Sequence, residues 1–457
     1  MAHARPHHTA DDSFELSAGE VIEPVCPTRN SLANKVLAVD AAAHRWYRFV
    51  LSFPPHLVRQ YIERLAVPQG GVVLDPFCGT GTTVVECKKL GIPSVGLEAL
   101  PMAHFASVVK TDWTPDPEGL VRHAKSVGVK AEEDLARDDI QDIRLFVEQR
   151  LPEHARVLPP EAHALLLKDS ISPLPLHKTL VLLQAIEDLS DHRYRDHERL
   201  ALARSLIDHI GNVRFGPEVG VTKPKEDAAV IGPWLSAIRE MAEDLAGLPG
   251  RGGLSSRVHL ADSRCVGELV EPGSVAAVIT SPPYPNEKDY TRTTRLESVI
   301  LGFIRSKAEL RQLKKGLVRS NTRSVYKEDA DDAWISENED VLHLAETIEA
   351  RRIKLGKTSG FERMYPRVAK LYFGGMARHL ASLKTVLRPG AKLAYVVGDQ
   401  ASYLRVMIRT GQVLADIATS LGYEVVDIEL FRSRPATATG EQLREEVVLL
   451  RWPGRQP

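Results

Sequence analysis

A glycine-rich turn after a short apolar run is where residue types and spacing in this chain first suggest chemistry. Residues Val72–Leu74 read as a buried strand, and the DPFCGTGTT stretch that follows ends this strand and turns through two glycines into a helix. Glycines let a ligand approach the backbone closely, and the first amides of a helix face that ligand. The next predicted strand, SVGLEA, ends near Glu98, about 20 residues further on, where a carboxylate can hold ribose hydroxyls. This pairing favours an adenosine-containing ligand over an ordinary strand-to-helix turn.

A second motif, Ser281-Pro282-Pro283-Tyr284, follows another apolar run, the predicted strand 275–280. Prolines fix the turn and remove backbone donors, so the turn can present carbonyl oxygens that accept the protons of an amine. Together, DPFCGTGTT and SPPY resemble the motifs of the amino-methyltransferases that modify the exocyclic nitrogen of cytosine or adenine in DNA. The resemblance implies S-adenosylmethionine as the cofactor.

The resemblance also implies a set of cofactor-binding residues. In relatives, an acidic residue after a later strand contacts the adenine amino group, which corresponds to Asp262 here, although an Asp at a strand end can simply cap a turn. Phe53 and Pro54 would flank the methionine end of the cofactor, and the alternative is a helix start with proline in its first turn. The complete predicted set is Phe53, Pro54, Asp75, Pro76, Phe77, Cys78, Gly79, Thr80, Gly81, Thr82, Glu98, Asp262 and Ser263.

The SPPY turn is the predicted catalytic element. By resemblance, the carbonyl of Pro282 and the side chain of Ser281 accept the protons of the target amine, Pro283 fixes the turn, and Tyr284 stacks on a base rotated out of the helix. Methyl transfer is a direct in-line displacement that relies mainly on positioning, without a metal or a covalent enzyme intermediate. The DYTRTTRLE run also resembles the family, which implies further substrate residues on the rim of the cleft: Asp289, Tyr290, Arg292 and Arg295. The alternative is that this run starts a helix whose arginines are solvated.

The sequence also narrows the target base. Methylation of carbon 5 of cytosine needs a cysteine nucleophile, usually in a Pro-Cys pair, and this chain has no Pro-Cys dipeptide. A serine-first SPPY resembles the N4-cytosine enzymes, so we expect N4-cytosine methylation first and N6-adenine methylation second. Two other interpretations stay open: methylation of RNA, such as the N2 amine of guanine in tRNA, and a catalytically silent scaffold subunit. A role in restriction-modification or host defence follows from the family only.

Composition limits the remaining possibilities. A chain of 457 residues with 43% hydrophobic content can bury a large core in two or three structural units. It has no apolar run of about 18 residues and no apolar signal-peptide centre. Its four cysteines lack C-x-x-C spacing, so we expect a cytoplasmic protein without structural zinc or a membrane partner. Because the net charge is only −1, contact with DNA must come from local basic patches.

We predict an α/β protein with a Rossmann-like S-adenosylmethionine-dependent methyltransferase fold and a large helical insertion. The insertion could recognise DNA, form a dimer contact or cover a sheet edge, and the last two are favoured. The expected partners are double-stranded DNA with a flipped target base, cognate restriction or defence proteins and a second copy of the chain. The predicted division is a flexible arm (1–30), the first part of the methyltransferase domain (31–114), the insertion (115–249), the second part with SPPY (250–303), a basic segment for target recognition (304–375) and the C-terminal part of the sheet (376–457).

Overall fold

A computed structural model describes residues 36–48, 52–142, 149–216, 219–249, 255–286, 288–435 and 442–454. The predicted flexible arm, 1–30, lies outside the described residues. Across the described ranges, no helix has both the length and the apolar character needed to cross a membrane.

Seven strands form one central sheet, and two further short strands pair as a separate hairpin. The strands are β1 (Val72–Asp75), β2 (Ser94–Glu98), β3 (Val213–Phe215), β4 (Val219–Val221), β5 (Ser256–Leu260), β6 (Val275–Thr280), β7 (Leu387–Gly398), β8 (Glu424–Pro435) and β9 (Gln442–Arg451). The sheet order is β5-β2-β1-β6-β7-β9-β8, parallel from β5 to β7. Strand β9 is antiparallel to both of its neighbours, β7 and β8, at the end of the chain.

The strand order changes direction between β1 and β6. From β1 the chain continues outward through β2 and β5 on one side, and from β6 it continues through β7 to β9 and β8 on the other. In open α/β sheets, ligands bind in the crevice outside the carboxyl ends of the strands at such a switch point. Both sequence motifs follow the strands that flank this point. The fold is therefore the Rossmann-like methyltransferase fold predicted from the sequence.

Helices cover both faces of the sheet and build the insertion. They are α1 (Ala41–His44), α2 (Pro55–Arg64), α3 (Thr82–Leu90), α4 (Pro101–Thr111), α5 (Pro117–Arg137), α6 (Pro160–His163), α7 (Pro173–Asp188), α8 (Arg195–Ser205), α9 (Ile231–Gly247), α10 (Val266–Leu269), α11 (Tyr290–Thr293), α12 (Arg295–Ile300), α13 (Lys307–Lys315), α14 (Glu339–Lys354), α15 (Gly360–Leu383) and α16 (Thr410–Ser420).

The segment predicted as a helical insertion packs on helices rather than directly on the sheet. Its long helices α5, α7, α8 and α9 share one hydrophobic core, to which Leu120, Leu182 and Trp234 contribute. Met102 of α4 and Leu296 of α12 belong to the same core, so the insertion packs against helices that follow both motifs. The β3–β4 hairpin within it was not predicted, because three-residue strands leave too little alternation to detect.

The C-terminal half of α15 forms the other main core, beneath the sheet. Phe373, Met376 and Leu380 are fully buried there with Tyr395 of β7. Pro389 and Gly390 lie within β7, where the pairing with β6 is irregular. Gly390 has a φ of 80°, which a glycine adopts without strain.

Candidate active site

A cavity of about 330 Å³ lies at the switch point, and most of the predicted site residues line it. The predicted residues on its walls are Phe53, Pro76, Phe77, Cys78, Gly79, Thr82, Glu98, Asp262, Ser263, Ser281, Pro282, Pro283, Tyr284 and Tyr290. The predicted residues that do not line it are Pro54, Asp75, Thr80, Gly81, Asp289, Arg292 and Arg295. The cavity joins the glycine motif and the SPPY turn in one continuous space.

The glycine turn has the backbone that its sequence predicts. Gly79 and Gly81 have φ values of 52° and 88°, in the left-handed region that favours glycine. A Cβ built at Gly81 would lie 2.6 Å from Oγ of Ser107 on α4, whereas one built at Gly79 meets no described atom within 4 Å. Gly81 therefore allows α3 and α4 to pack closely, and Gly79 leaves space on the cavity side for a ligand.

Glu98, at the end of β2, is hydrogen-bonded to the glycine turn. Its carboxylate accepts hydrogen bonds from the backbone N–H of Gly79, at 2.9 Å, and of Leu100, at 2.7 Å. Burial raises the pKa of Glu98 to about 7, although these two amides favour the charged form. Each carboxylate oxygen keeps a free lone pair, so Glu98 can accept further hydrogen bonds from hydroxyl groups at the cavity wall.

Asp75 lies beneath the cavity and is fully buried. Its Oδ1 accepts from the hydroxyl of Thr280, at 2.6 Å, and from the N–H of Phe77, at 3.1 Å. Burial raises the pKa of Asp75 to about 6, while the Thr280 and Thr83 hydroxyls and the Phe77 amide oppose the shift. Asp75 thus links the end of β1 to the end of β6 and shapes the turn above it. Its predicted contact with the cofactor stays a prediction.

Thr80 and Pro54 are two other predicted cofactor residues that do not line the cavity. The hydroxyl of Thr80 is 3.5 Å from that of Ser52, which itself lines the cavity beside Phe53. Pro54 is buried and precedes α2, which has Pro55 in its first turn, so the helix-start alternative describes this residue.

Asp262 has a partner that the sequence did not indicate. The guanidinium Nε of Arg264 lies 3.0 Å and 2.9 Å from the two carboxylate oxygens of Asp262. Arg264 also bonds Asp331, within the basic segment, so one buried arginine joins two acidic residues. Asp262 accepts from the N–H of Arg264 as well, which is the capping role left open by the sequence. It nevertheless lines the cavity, as does Ser263, whose buried hydroxyl has no hydrogen-bond partner among the described residues.

The SPPY turn is held by backbone contacts from two sides. The hydroxyl of Ser281 donates to the carbonyl of Val396 in β7, at 3.1 Å. The N–H of Tyr284 donates to the hydroxyl of Tyr290, at 3.2 Å. The ring of Tyr284 contacts Gly398, where a built Cβ would lie 3.0 Å from the ring. Burial raises the pKa of Tyr284 above its ordinary range, so the phenol stays neutral near pH 7.

The DYTRTTRLE run contributes only Tyr290 to the cavity. Asp289 is buried in an ion pair with Nζ of Lys314, at 2.6 Å, and caps α11. Arg295 is 9% exposed and bonds the carbonyls of Thr291 and Leu165, so it connects α11 to the insertion. Arg292 is partly buried, away from the cavity lining. These three residues do not line the cavity, and their predicted place on the cleft rim near the substrate stays a prediction.

Several cavity residues carried no recognisable sequence signal. The loop before α14 supplies residues 316–318, 320, 321 and 324, and Asn321 donates to the backbone carbonyl of Lys288, at 3.0 Å. The C-terminal hairpin supplies Phe431, Arg432 and Glu445. Arg432 and Glu445 form an ion pair with one contact at 2.9 Å. These residues reach the cavity through tertiary packing, and their types alone resemble ordinary surface residues.

The residues present fit an adenosine-containing cofactor. The glycine turn leaves an open backbone, Glu98 can accept ribose hydroxyls, and Ser263 has an unpartnered hydroxyl in the same cavity, judged over the described part of the chain. Phe53 and Phe77 add aromatic surface. Ser281 and Tyr284 line the same cavity at the end of β6, and we call that part its substrate half.

Comparison with known proteins agrees with this geometry. A family model described as DNA methylase, for N6 and N4 methyltransferases, matches residues 29–104. The type II methyltransferase M.BsoBI of Geobacillus stearothermophilus is 25% identical over 454 residues, which cover 90% of this chain and 84% of the relative. M.AvaI of Nostoc sp. is 25% identical over 430 residues, covering 87% and 83%. TrmN from Thermus thermophilus aligns structurally over 87% of this chain and 48% of its own, with 10% identity and a TM-score of 0.27.

The family model covers the glycine motif and the first helices, while the two relatives extend the similarity over nearly the whole chain. The sheet order, the glycine turn and the cavity are those that such an enzyme needs. The chain is therefore similar to the DNA amino-methyltransferases, and S-adenosylmethionine is the methyl donor that this similarity implies.

Proposed function

We propose that the chain methylates the exocyclic N4 amine of cytosine in double-stranded DNA, at a target base rotated out of the helix. The position of the Ser281–Tyr284 turn carries this proposal. The turn follows β6 at the switch point and borders the same cavity as Glu98 and the glycine turn. A base bound there would present its amine beside the cofactor half of the cavity.

The chemical difficulty is that the lone pair of the target amine is delocalised into the ring. Acceptors placed on the two amine hydrogens draw that lone pair out of conjugation, and the carbonyl of Pro282 and the Oγ of Ser281 are suited to this role. Ser281 already donates its own hydrogen to Val396, so its oxygen is left as an acceptor. S-adenosylmethionine supplies an electrophilic methyl group on its sulfonium. The chain itself contributes mainly orientation, because the contacts of the turn fix the amine in one position.

The rotated base would stack on Tyr284. The ring is supported from behind by Gly398 and fixed through the bond from its backbone to Tyr290. Rotating a base out of a duplex costs a few kcal/mol, and an aromatic platform returns part of that cost. The serine at the first position of the turn favours cytosine, since adenine enzymes more often begin this motif with Asp or Asn.

The basic segment, 304–375, would supply target recognition. Tyr326 is contacted by the guanidinium groups of Arg311 and Arg319, 5.4 Å and 5.6 Å from the ring centre, and by Lys315 at 5.7 Å. Arg319 is buried in an ion pair with Asp329, whereas Arg311 and Lys315 are exposed beside the loop that lines the substrate half of the cavity, where they suit contact with phosphates. Because both relatives are type II methyltransferases, we extend the proposal to the modification enzyme of a restriction-modification pair.

The test is nucleoside mass analysis of DNA from cells that express the chain in a host without DNA methyltransferases of its own. N4-methylcytosine should appear with the intact chain and be absent with Ser281→Ala/Pro282→Ala. If this variant still binds S-adenosylmethionine, its loss of methyl transfer is due to the altered turn and not to a damaged cofactor site. Detection of N6-methyladenine instead would show that the target base is adenine rather than cytosine. If both modified bases were absent although the chain binds the cofactor, DNA methylation by the chain alone would be refuted. The search for a substrate would then turn to tRNA.

A further inference from the structure

The tip of the helical hairpin formed by α14 and α15 stands out by its charge. We define the hairpin tip as residues 351–363, which join the two helices through a short loop. These positions contain five basic residues and one acidic residue, a net charge of +4, whereas the whole chain has a net charge of −1. Residues 353–361 are all exposed. Such a concentration of positive charge favours an anionic partner.

The basic side chains of the hairpin tip are only partly neutralised by the protein. Lys357 pairs with Glu362, at 3.3 Å, and Arg352 pairs with Glu349, at 2.6 Å. No acidic side chain of the described ranges lies within ion-pair distance of Lys354 or Arg363. Both are exposed and lie on opposite arms of the hairpin, so they can bind two phosphates of a backbone that passes over the tip.

Large apolar side chains are exposed among these cations. Ile353 is 64% exposed, Phe361 57% and Leu355 43%. Single exposed apolar residues are common, but three within nine residues at the turn of a helical hairpin form a small apolar surface with basic neighbours. That combination is typical of proteins that hold a nucleic-acid backbone and insert an apolar side chain between bases.

Contacts connect the hairpin tip to the substrate half of the cavity. The ring of Tyr365 stacks on that of Tyr403, with 5.0 Å between their centres. The hydroxyl of Tyr403 donates to the carbonyl of Ser320, at 3.0 Å, and Ser320 lines the cavity. Phe361 precedes Tyr365 by four residues, about 6 Å along a helix axis. The tip is therefore connected to the cavity wall through Tyr365, which follows it on α15, and Tyr403.

We propose that the hairpin tip is a DNA-contact element that holds the strand next to the target base. Lys354 and Arg363 bind backbone phosphates, while Phe361 and Leu355 contact the bases left exposed when the target nucleotide rotates out. The proposal rests on the proposed function in one respect, that the substrate is a duplex with a rotated base. A protein partner is disfavoured because the apolar surface is small and surrounded by positive charge.

The charged part of the proposal is tested by the salt dependence of binding to a duplex of arbitrary sequence. For each phosphate that the protein no longer neutralises, the slope of log Kd against log salt concentration falls by about 0.9. We expect Lys354→Ala/Arg363→Ala to lower the slope by about 2. The control is Lys125→Ala/Arg239→Ala, which removes two exposed positive charges from α5 and α9 of the insertion and should leave the slope unchanged.

The apolar part is tested by transfer of labelled methyl groups from S-adenosylmethionine to genomic DNA. We expect Phe361→Ala/Leu355→Ala to lower the single-turnover rate about tenfold with an unchanged salt slope, and Val129→Ala, an exposed apolar control on α5, to have no effect. All these side chains are exposed, so melting temperatures should match the parent. Identical slopes for both charge variants and the parent would overturn the proposal, and so would an undiminished rate for the apolar variant. Because the slope does not depend on which base is methylated, its outcome is separate from failure of the proposed function.

Discussion

Replacement of Tyr284 is the substitution that best distinguishes binding of the target base from binding of the cofactor. The ring contacts Gly398, and the backbone N–H is bonded to the hydroxyl of Tyr290. The cofactor half, by contrast, is built from Glu98 and the glycine turn. Tyr284→Ala removes the proposed platform for the base and keeps the backbone bond, which does not involve the side chain. Tyr284→Phe is the matched control, because it keeps the ring and removes only the hydroxyl.

The size of the effect follows from stacking energies. Base–aromatic stacking is worth about 1–3 kcal/mol per base in alanine substitutions. Since 1.4 kcal/mol corresponds to a factor of ten, Tyr284→Ala should lower kcat/KM for DNA by about 5- to 150-fold. Tyr284→Phe should stay within about threefold of the parent, because the stacking surface is retained. Affinity for S-adenosylmethionine should change little in either variant.

The assay is single-turnover methyl transfer to DNA, with cofactor affinity measured separately by calorimetry. A melting temperature for each variant shows whether removal of the ring from its position against Gly398 has disturbed the fold. If Tyr284→Ala weakened cofactor binding as much as methyl transfer, Tyr284 would belong to the cofactor side and the stacking argument would fail. A full loss of transfer in Tyr284→Phe would instead assign the reaction to the hydroxyl.

Two further predictions concern the glycine turn and a buried carboxylate outside the cavity lining. Gly81→Ala should lower the melting temperature more than Gly79→Ala: both put alanine at positive φ, at about 1–2 kcal/mol, but only the Cβ at Gly81 meets Ser107, at 2.6 Å. Gly79→Ala should weaken cofactor binding more, because its Cβ would enter the space that Gly79 leaves on the cavity side. Equal effects in calorimetry and thermal unfolding would contradict this. Burial raises the pKa of Glu297, which accepts from Tyr47, from 4.5 to about 7. The folded state then binds more protons, so the free energy of unfolding should fall as pH rises from about 4.5 to about 7. Glu297→Gln should flatten this fall in denaturant titrations, and an unchanged pH dependence would refute the assignment.

The sequence was sufficient for the parts of the site that depend on neighbouring residues. The strand, glycine turn and helix around Gly79 are determined by residues that are consecutive in the sequence. The position of Glu98 follows from the length of one β-α-β unit. Fold class and the two motif-bearing strand ends could therefore be predicted from local sequence patterns.

Contacts between distant parts of the chain could not be predicted in this way. Arg264 joins Asp262 to Asp331, 67 positions further along than Arg264, and no local pattern indicates that pairing. Arg432 and Glu445 likewise reach the cavity only because the β8–β9 hairpin is placed beside β7. Burial of Arg295 was missed for a related reason, since its partner carbonyl belongs to Leu165 in the insertion.

Asp75 does not line the cavity, but its contacts link the cofactor half of the cavity to the substrate half. The Thr280 hydroxyl donates to Asp75, at 2.6 Å, and the Thr83 hydroxyl donates to the carbonyl of Ile279, at 3.2 Å. These bonds tie β1 and α3, which carry the glycine turn, to the last residues of β6, which carry SPPY. In-line displacement depends on the distance between donor and acceptor atoms, and small misplacement costs rate steeply. Two buried hydroxyl bonds between the motifs therefore fix the spacing on which methyl transfer depends.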